Sequence, residues 1–159
     1  MFQIPEGAKV VDLLAPAADG AGRTSAVYPS LKNVKMAWIV AHITQGNAAT
    51  IALAPKQATT VAGAGTKVLA KVVPIWANED CAAGDTLTRQ TDAVNFTTSA
   101  AVKNKIVVFQ IDPSLLDVAN DFDCIGLTTG ASNAANITSA LLVCDMKFKA
   151  ATPPSVVAD

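Results

Sequence analysis

The sequence predicts an all-β domain, an antiparallel β-sandwich of the jelly-roll kind with about eight strands. Three observations carry that prediction. Apolar side chains recur with period two: across residues 137–149, Ala140, Leu142, Cys144, Met146 and Phe148 share one face, and Asp145 and Lys147 share the other. Small, turn-forming clusters such as residues 130–136 separate such segments at intervals of roughly 8–20 residues. Only one short stretch, residues 114–119, carries a helical pattern.

Taken in order, residues 1–8 form an N-terminal arm punctuated by Pro5 and Gly7. Residues 9–14 make a short strand that Ala15 and Pro16 should end. Residues 17–25 are small and polar, a flexible loop by composition. Gly20 and Gly22 there lack the strand-to-helix context and the Lys-Ser/Thr pair of a phosphate cradle. Residues 33–45 are the longest strand, with Val34, Met36, Trp38, Val40 and His42 on one face and Ala37, Ile39, Ala41 and Ile43 on the other. Gly46 and Asn47 should turn it into a hairpin with residues 49–54, closed by Pro55. After a Gly/Ala/Thr loop at 59–66, residues 67–77 form a strand whose Pro74 marks an edge or a bulge.

Residues 78–85 are polar and carry Cys81, and residues 86–98 alternate weakly around Leu87, Val94 and Phe96. Residues 106–111 are a strand stopped by Asp112 and Pro113. The helical turn at 114–119 should be capped by Asp112 or Ser114, with Leu115, Leu116 and Ala119 facing inward. Residues 122–129 and 137–149 then form a second hairpin, followed by a C-terminal tail, residues 150–159. In the last strand Leu141 and Val143 make the otherwise polar face apolar near its start, which points to a core on one side and a second contact on the other. Asn47-Ala-Ala and Asn133-Ala-Ala each lead into a returning strand; convergent turn chemistry is the expected reason, with a pair of equivalent corners in the two halves of a sandwich as the alternative.

At 159 residues the chain suits a single domain with a proper core. It is 51% hydrophobic but only 16% charged, against roughly 25% in an average soluble domain. No apolar run reaches the ~18 residues of a membrane span, so the charge deficit is expected to reflect a surface covered by other subunits. A net charge of −1 argues against nucleic acid as a direct partner. Three cysteines, Cys81, Cys124 and Cys144, without paired spacing suit a reducing compartment, and no secretory pattern opens the chain.

Chemistry-bearing residues are sparse. His42, the one histidine, lies in an apolar strand and is expected to be a hydrogen-bonded structural residue rather than a catalytic base. Cys124 and Cys144 fall on the two strands of the last hairpin, where neighbouring, buried, inert thiols are expected. Asp117, Asn120, Asp121 and Asp123 have oxygen ligands for Ca²⁺ but not the spacing of a calcium loop, so solvated turn-capping acids are expected. Asn95 and Asn136 match the glycosylation pattern by chance. Trp38 and Trp76 are either core residues or interface anchors.

Gly7-Ala-Lys-Val-Val-Asp-Leu-Leu-Ala-Pro16, Ala41-His-Ile-Thr-Gln-Gly-Asn-Ala-Ala-Thr50 and residues 122–138 resemble the small structural proteins of tailed bacteriophages and prophages, in particular head decoration (cement) proteins. The resemblance implies a non-enzymatic β-rich virion protein, made in the host bacterial cytoplasm. It further implies a homotrimer or homodimer that binds the major capsid protein lattice from outside and reinforces it, without cofactor, metal, nucleic acid or membrane. Contacts are expected from Phe2, Ile4 and Pro5 on the arm, from Arg23 in the 17–25 loop, and from Trp38 and Trp76. A tail, fibre, spike or coat subunit would share these features. A carbohydrate-binding jelly roll would need exposed aromatics, for which Trp38, Trp76 and Tyr28 are the candidates.

Overall fold

A computed structural model of the protein describes residues 4–158. Among them, eleven strands form two antiparallel sheets packed face to face, a β-sandwich. In chain order they are β1 (Ala8–Ala18), β2 (Arg23–Thr24), β3 (Val34–Gln45), β4 (Ala52–Ala58), β5 (Lys67–Val68), β6 (Ile75–Asn78), β7 (Thr88–Arg89), β8 (Phe96–Thr97), β9 (Asn104–Ile111), β10 (Cys124–Thr129) and β11 (Asn136–Met146). One sheet has the order β1-β11-β3-β9-β6-β7; the other runs β2-β10-β4-β5, with β8 also pairing β4.

The expected alternation makes the core. Ala37, Ile39, Ala41 and Ile43 of β3, Val107, Phe109 and Ile111 of β9, and Ala140, Leu142 and Cys144 of β11 point inward from the six-stranded sheet. Leu53 of β4 and Ile125 and Leu127 of β10 meet them from the other. Most of these are wholly buried, and each large one contributes about 1.5–3 kcal/mol of transfer free energy. Val34 is also buried, because a register irregularity opposite Asp145 and Met146 turns it off the outer face expected for it.

Neither expected hairpin forms. β3 pairs with β11 and β9, whereas β4 lies in the other sheet, so residues 46–51 cross between sheets. Likewise β10 pairs with β4 and β2 while β11 pairs with β1 and β3. The two crossings lie against each other, joined by Asn136. Its Oδ1 accepts from the Asn47 N–H at 2.8 Å, and its Nδ2 donates to the Ala49 carbonyl at 2.8 Å and to Ser132 Oγ at 2.9 Å. The shared Asn-Ala-Ala phrase is one turn chemistry used at two corners between the sheets, so the alternative of paired corners describes its place: Asn47 Oδ1 accepts from the Ala49 N–H, and Asn133 Oδ1 from the Ala135 N–H, both at 2.9 Å. Gly46 is needed there, since a Cβ would stand 2.5 Å from the Ala135 carbonyl oxygen.

Prolines divide the chain differently from expectation. β1 continues past Pro16 to Ala18 because it is an edge strand, paired only to β11, with bulges between Asp12 and Leu14 and between Leu14 and Ala17. Pro55 sits inside β4, between the residues that pair with β8 and those that pair with β5, where its missing N–H interrupts neither ladder. Pro74 splits residues 67–77 into β5 and β6, which belong to different sheets. The helical turn at 114–119 is two short 3-10 turns, Pro113–Leu115 and Val118–Asn120. Asp112 caps the first by accepting from the Ser114 N–H at 2.9 Å; Leu116 is buried but Ala119 is exposed. The strand ends at Met146, leaving Phe148 62% exposed instead of in the core.

Candidate functional site

The loop at 17–25 is not free. Asp19 is wholly buried; its Oδ1 accepts from Thr129 Oγ1 at 2.9 Å and its Oδ2 from Thr138 Oγ1, so one carboxylate joins β10 of one sheet to β11 of the other. Arg23 is spent on its own chain: Nη1 donates to the Thr138 carbonyl at 2.6 Å and Nη2 to the Ala15 carbonyl at 2.5 Å. These bonds make Arg23 a clamp on the β1 edge. The C-terminal tail is likewise anchored, through the Ser30 N–H to Val156 carbonyl bond at 2.7 Å and the burial of Val156.

A second buried charge sits near the same end. Lys105 is fully buried, and its Nζ donates to the Ser99 carbonyl at 2.7 Å and Oγ at 3.0 Å. Burial pushes its pKa down, and the Glu79 carboxylate opposes this. Its two bonds to Ser99 fix the 98–104 loop.

The acids at 117–123 are largely taken up by the chain's own cations and amides. Asp117 pairs with Lys67 at 2.5 Å and accepts from Asn120, and these bonds lower its pKa; Asp123 pairs with Lys32 at 3.2 Å. Among the described residues no three His, Cys, Asp or Glu side chains converge as a metal set. Nearby a groove of about 720 Å³ runs between Leu31, Leu116 and Val118, rimmed by Lys32, Asp123 and Lys147. The thiols are separate: Cys124 packs with Tyr28 and Ala58, and Cys144 lies in the main core, its pKa pushed up to about 12 by desolvation. Asn136 is wholly buried in its turn, so it is no glycosylation acceptor in the folded chain.

The surface with the strongest binding character is the outer face of the six-stranded sheet. His42 is exposed there, its imidazole without a hydrogen-bond partner among the described residues, contrary to the structural role expected of it. Trp38 and Trp76 lie on this face too, half-buried rather than in the core. With Leu87, Val108 and Gln110 they line a shallow recess of about 420 Å³, and the Arg89 guanidinium stacks on Trp76 at 4.8 Å. A second recess, about 550 Å³, lies over Trp38, Val40, Val108 and Val143. Val10 (48% exposed) and Leu141 (44%) extend the apolar surface to the β1 edge. Val143 is one of the two residues, with Leu141, that point to a second contact from sequence; Val40 and Val108 extend it, and their signal is that β3 and β9 are apolar on both faces.

The remaining expected contacts are scattered. Phe2 lies outside the described residues. Ile4 (58% exposed) and Pro5 lead into β1 at the end where the termini meet, alongside exposed Phe148 and Val157. Arg23 lies at the opposite end of β1, an 11-residue strand and therefore about 35 Å away. The structure thus groups Ile4 with Pro5, and Trp38 with Trp76, but unites neither pair with Arg23. No protein-family model matches the chain, and no curated protein resembles it in sequence.

Proposed function

We propose that this chain is a virion structural protein of a tailed phage, which decorates the assembled capsid and stabilises it by binding the major capsid protein lattice. The observation that carries the reading is the allocation of polar and apolar side chains. Asp19, Gln45, Gln57, Lys105 and Asn136 are buried in hydrogen bonds that fix loops and corners. Bulky apolar groups meanwhile face outward: Val10 and Leu141 on the broad sheet, Ile4, Phe148 and Val157 at the end with the termini. Polar chemistry goes to rigidity and apolar surface to contact, which is the arrangement a shell-reinforcing subunit needs. The resemblance of residues 7–16, 41–50 and 122–138 to head decoration proteins is the reason the shell is taken to be a phage capsid.

The end carrying Ile4, Pro5 and Phe148 is the part assigned to the capsid. Many symmetry-related copies let weak single contacts sum to a large effect. Purified protein added to capsids assembled without it should raise their disruption temperature, and removal of residues 1–7 should weaken that effect while leaving the circular dichroism spectrum of the sandwich intact. Capsids equally heat-resistant with and without the protein would refute the proposal.

A further inference from the structure

We infer that the outer face of the six-stranded sheet is the interface of a two-fold homodimer, with the symmetry axis parallel to the strands and running between β3 and β9. The inference stands on the sheet's register and does not depend on the virion reading. One row of the face crosses all six strands as Asp12, Leu141, Val40, Val108, Trp76 and Arg89. The row has an acid at one end, a base at the other and four apolar residues between. Rotation about an axis through its midpoint sets Asp12 over Arg89 of the second copy, Leu141 over Trp76, and Val40 over Val108. The next row sets Trp38 over Gln110 in the same way.

Charge selects this axis over the alternative. A two-fold across the strands would set Asp12, which has no ion pair of its own, against Asp12 and leave Arg89 facing another Arg89–Asp92 pair, which like-charge repulsion at Asp12 disfavours. Asp12 is exposed and makes no ion pair among the described residues. Arg89 bridges Asp92, stacks on Trp76 and donates from Nη1 to the Gln90 carbonyl at 2.8 Å and the Ile75 carbonyl at 3.4 Å, yet its side chain remains 44% exposed. It is therefore held in place at the surface, with Nε and one Nη2 hydrogen without a partner among the described residues.

Area sets the strength. Six strands about 4.8 Å apart span about 24 Å. The strands β1, β11, β3 and β9 are long enough for three outward rows, roughly 20 Å tall, whereas β6 and β7 carry two and one, so the buried areas are upper values. Each copy would bury about 500 Å², and the pair about 1,000 Å², the lower limit for a specific interface. Such a dimer should dissociate in the micromolar range rather than be obligate. Two sheets of like twist pack aligned about 10 Å apart, as they do inside one sandwich.

The test is sedimentation velocity from about 1 to 500 μM on the wild type and three variants. The wild type should move from 16.3 kDa toward twice that mass. Val40→Glu, at the axis, should remain monomeric throughout with an unchanged circular dichroism spectrum. Asp12→Arg should raise the dissociation constant about ten-fold, and the double variant D12R/R89D should recover most of that loss, because the exchanged charges meet again only across this axis. A wild type monomeric at 500 μM would overturn the inference and leave the face to a different partner. An oligomer that survives Val40→Glu, or one that D12R/R89D weakens further than Asp12→Arg, would overturn it as well.

Discussion

Replacing Asp19 with Ala should show how far one side chain ties the two sheets together. The Asp19 carboxylate is wholly buried and accepts the hydroxyls of Thr129, 6% exposed on β10, and Thr138, 0% exposed on β11. Truncation leaves two buried hydroxyls without their acceptor, at about 1–3 kcal/mol each. Relief from burying a carboxylate offsets part of this, so a net loss of about 2–4 kcal/mol is expected. For a domain of this size that corresponds to a fall in Tm of roughly 5–15 °C. Asp19→Asn keeps the shape, one acceptor and a donor for the second hydroxyl, and should cost less than half as much. Urea and thermal unfolding of both variants, read by circular dichroism, provide the measurement. A loss under about 0.5 kcal/mol for Asp19→Ala would refute the idea that this carboxylate is a bridge.

Other substitutions probe separate parts of the sandwich. Gly126→Ala would place a methyl 2.6 Å from Cδ1 of the buried Tyr28 ring. It should cost about 2 kcal/mol or more, with Tyr28→Leu restoring part of the loss in the double variant; an additive double variant would contradict the clash. Alkylation of the native protein should modify half-buried Cys81 while sparing Cys124 and Cys144, and Cys144→Ala should cost about 1–2 kcal/mol. Rapid native labelling of Cys144 would count against its burial. Because burial lowers the Lys105 pKa, the unfolded chain holds that proton more tightly than the folded one. This group therefore makes stability rise with pH in the alkaline range below the ordinary lysine value of 10.5. Lys105→Met should remove that rise from urea titrations in the alkaline range below 10.5, and an unchanged slope would show that the lysine is not desolvated.

The regular strands were legible from the sequence because their side chains obey one rule over many residues. In β3, β9 and β11 the inward set is the one that period two selects, and β11 even announced a second contact through Leu141 and Val143. Connectivity was not legible. Asn47 and Asn133 signal a turn, but the chain can leave a turn along the same sheet or into the opposite one, and the choice depends on Asn136, which lies about 90 residues from the first turn. Prolines misled for a related reason. Pro16 and Pro55 are compatible with strands whose N–H at that point has no ladder partner, and that depends on neighbours far away in sequence.

Burial of polar groups was the least visible feature. The segment around Asp19 and Arg23 has the composition of a flexible loop, yet Thr129 and Thr138, more than 100 residues later, supply its hydrogen bonds. The two tryptophans show the converse. Their size suits a core, but their strand positions alternate with Ile39 and Ile75, which occupy it. Their placement on an outer apolar sheet face follows from alternation once the inward set is known.

The most direct test of the virion reading is gradient centrifugation of purified protein mixed with capsids assembled without it, followed by electron microscopy of the capsid fraction. The reading predicts that the protein travels with the shells, saturates at a fixed ratio to the major capsid protein, and appears as density repeated at equivalent lattice positions. Protein that stays at the top of the gradient, at concentrations where its fold is intact, would contradict it.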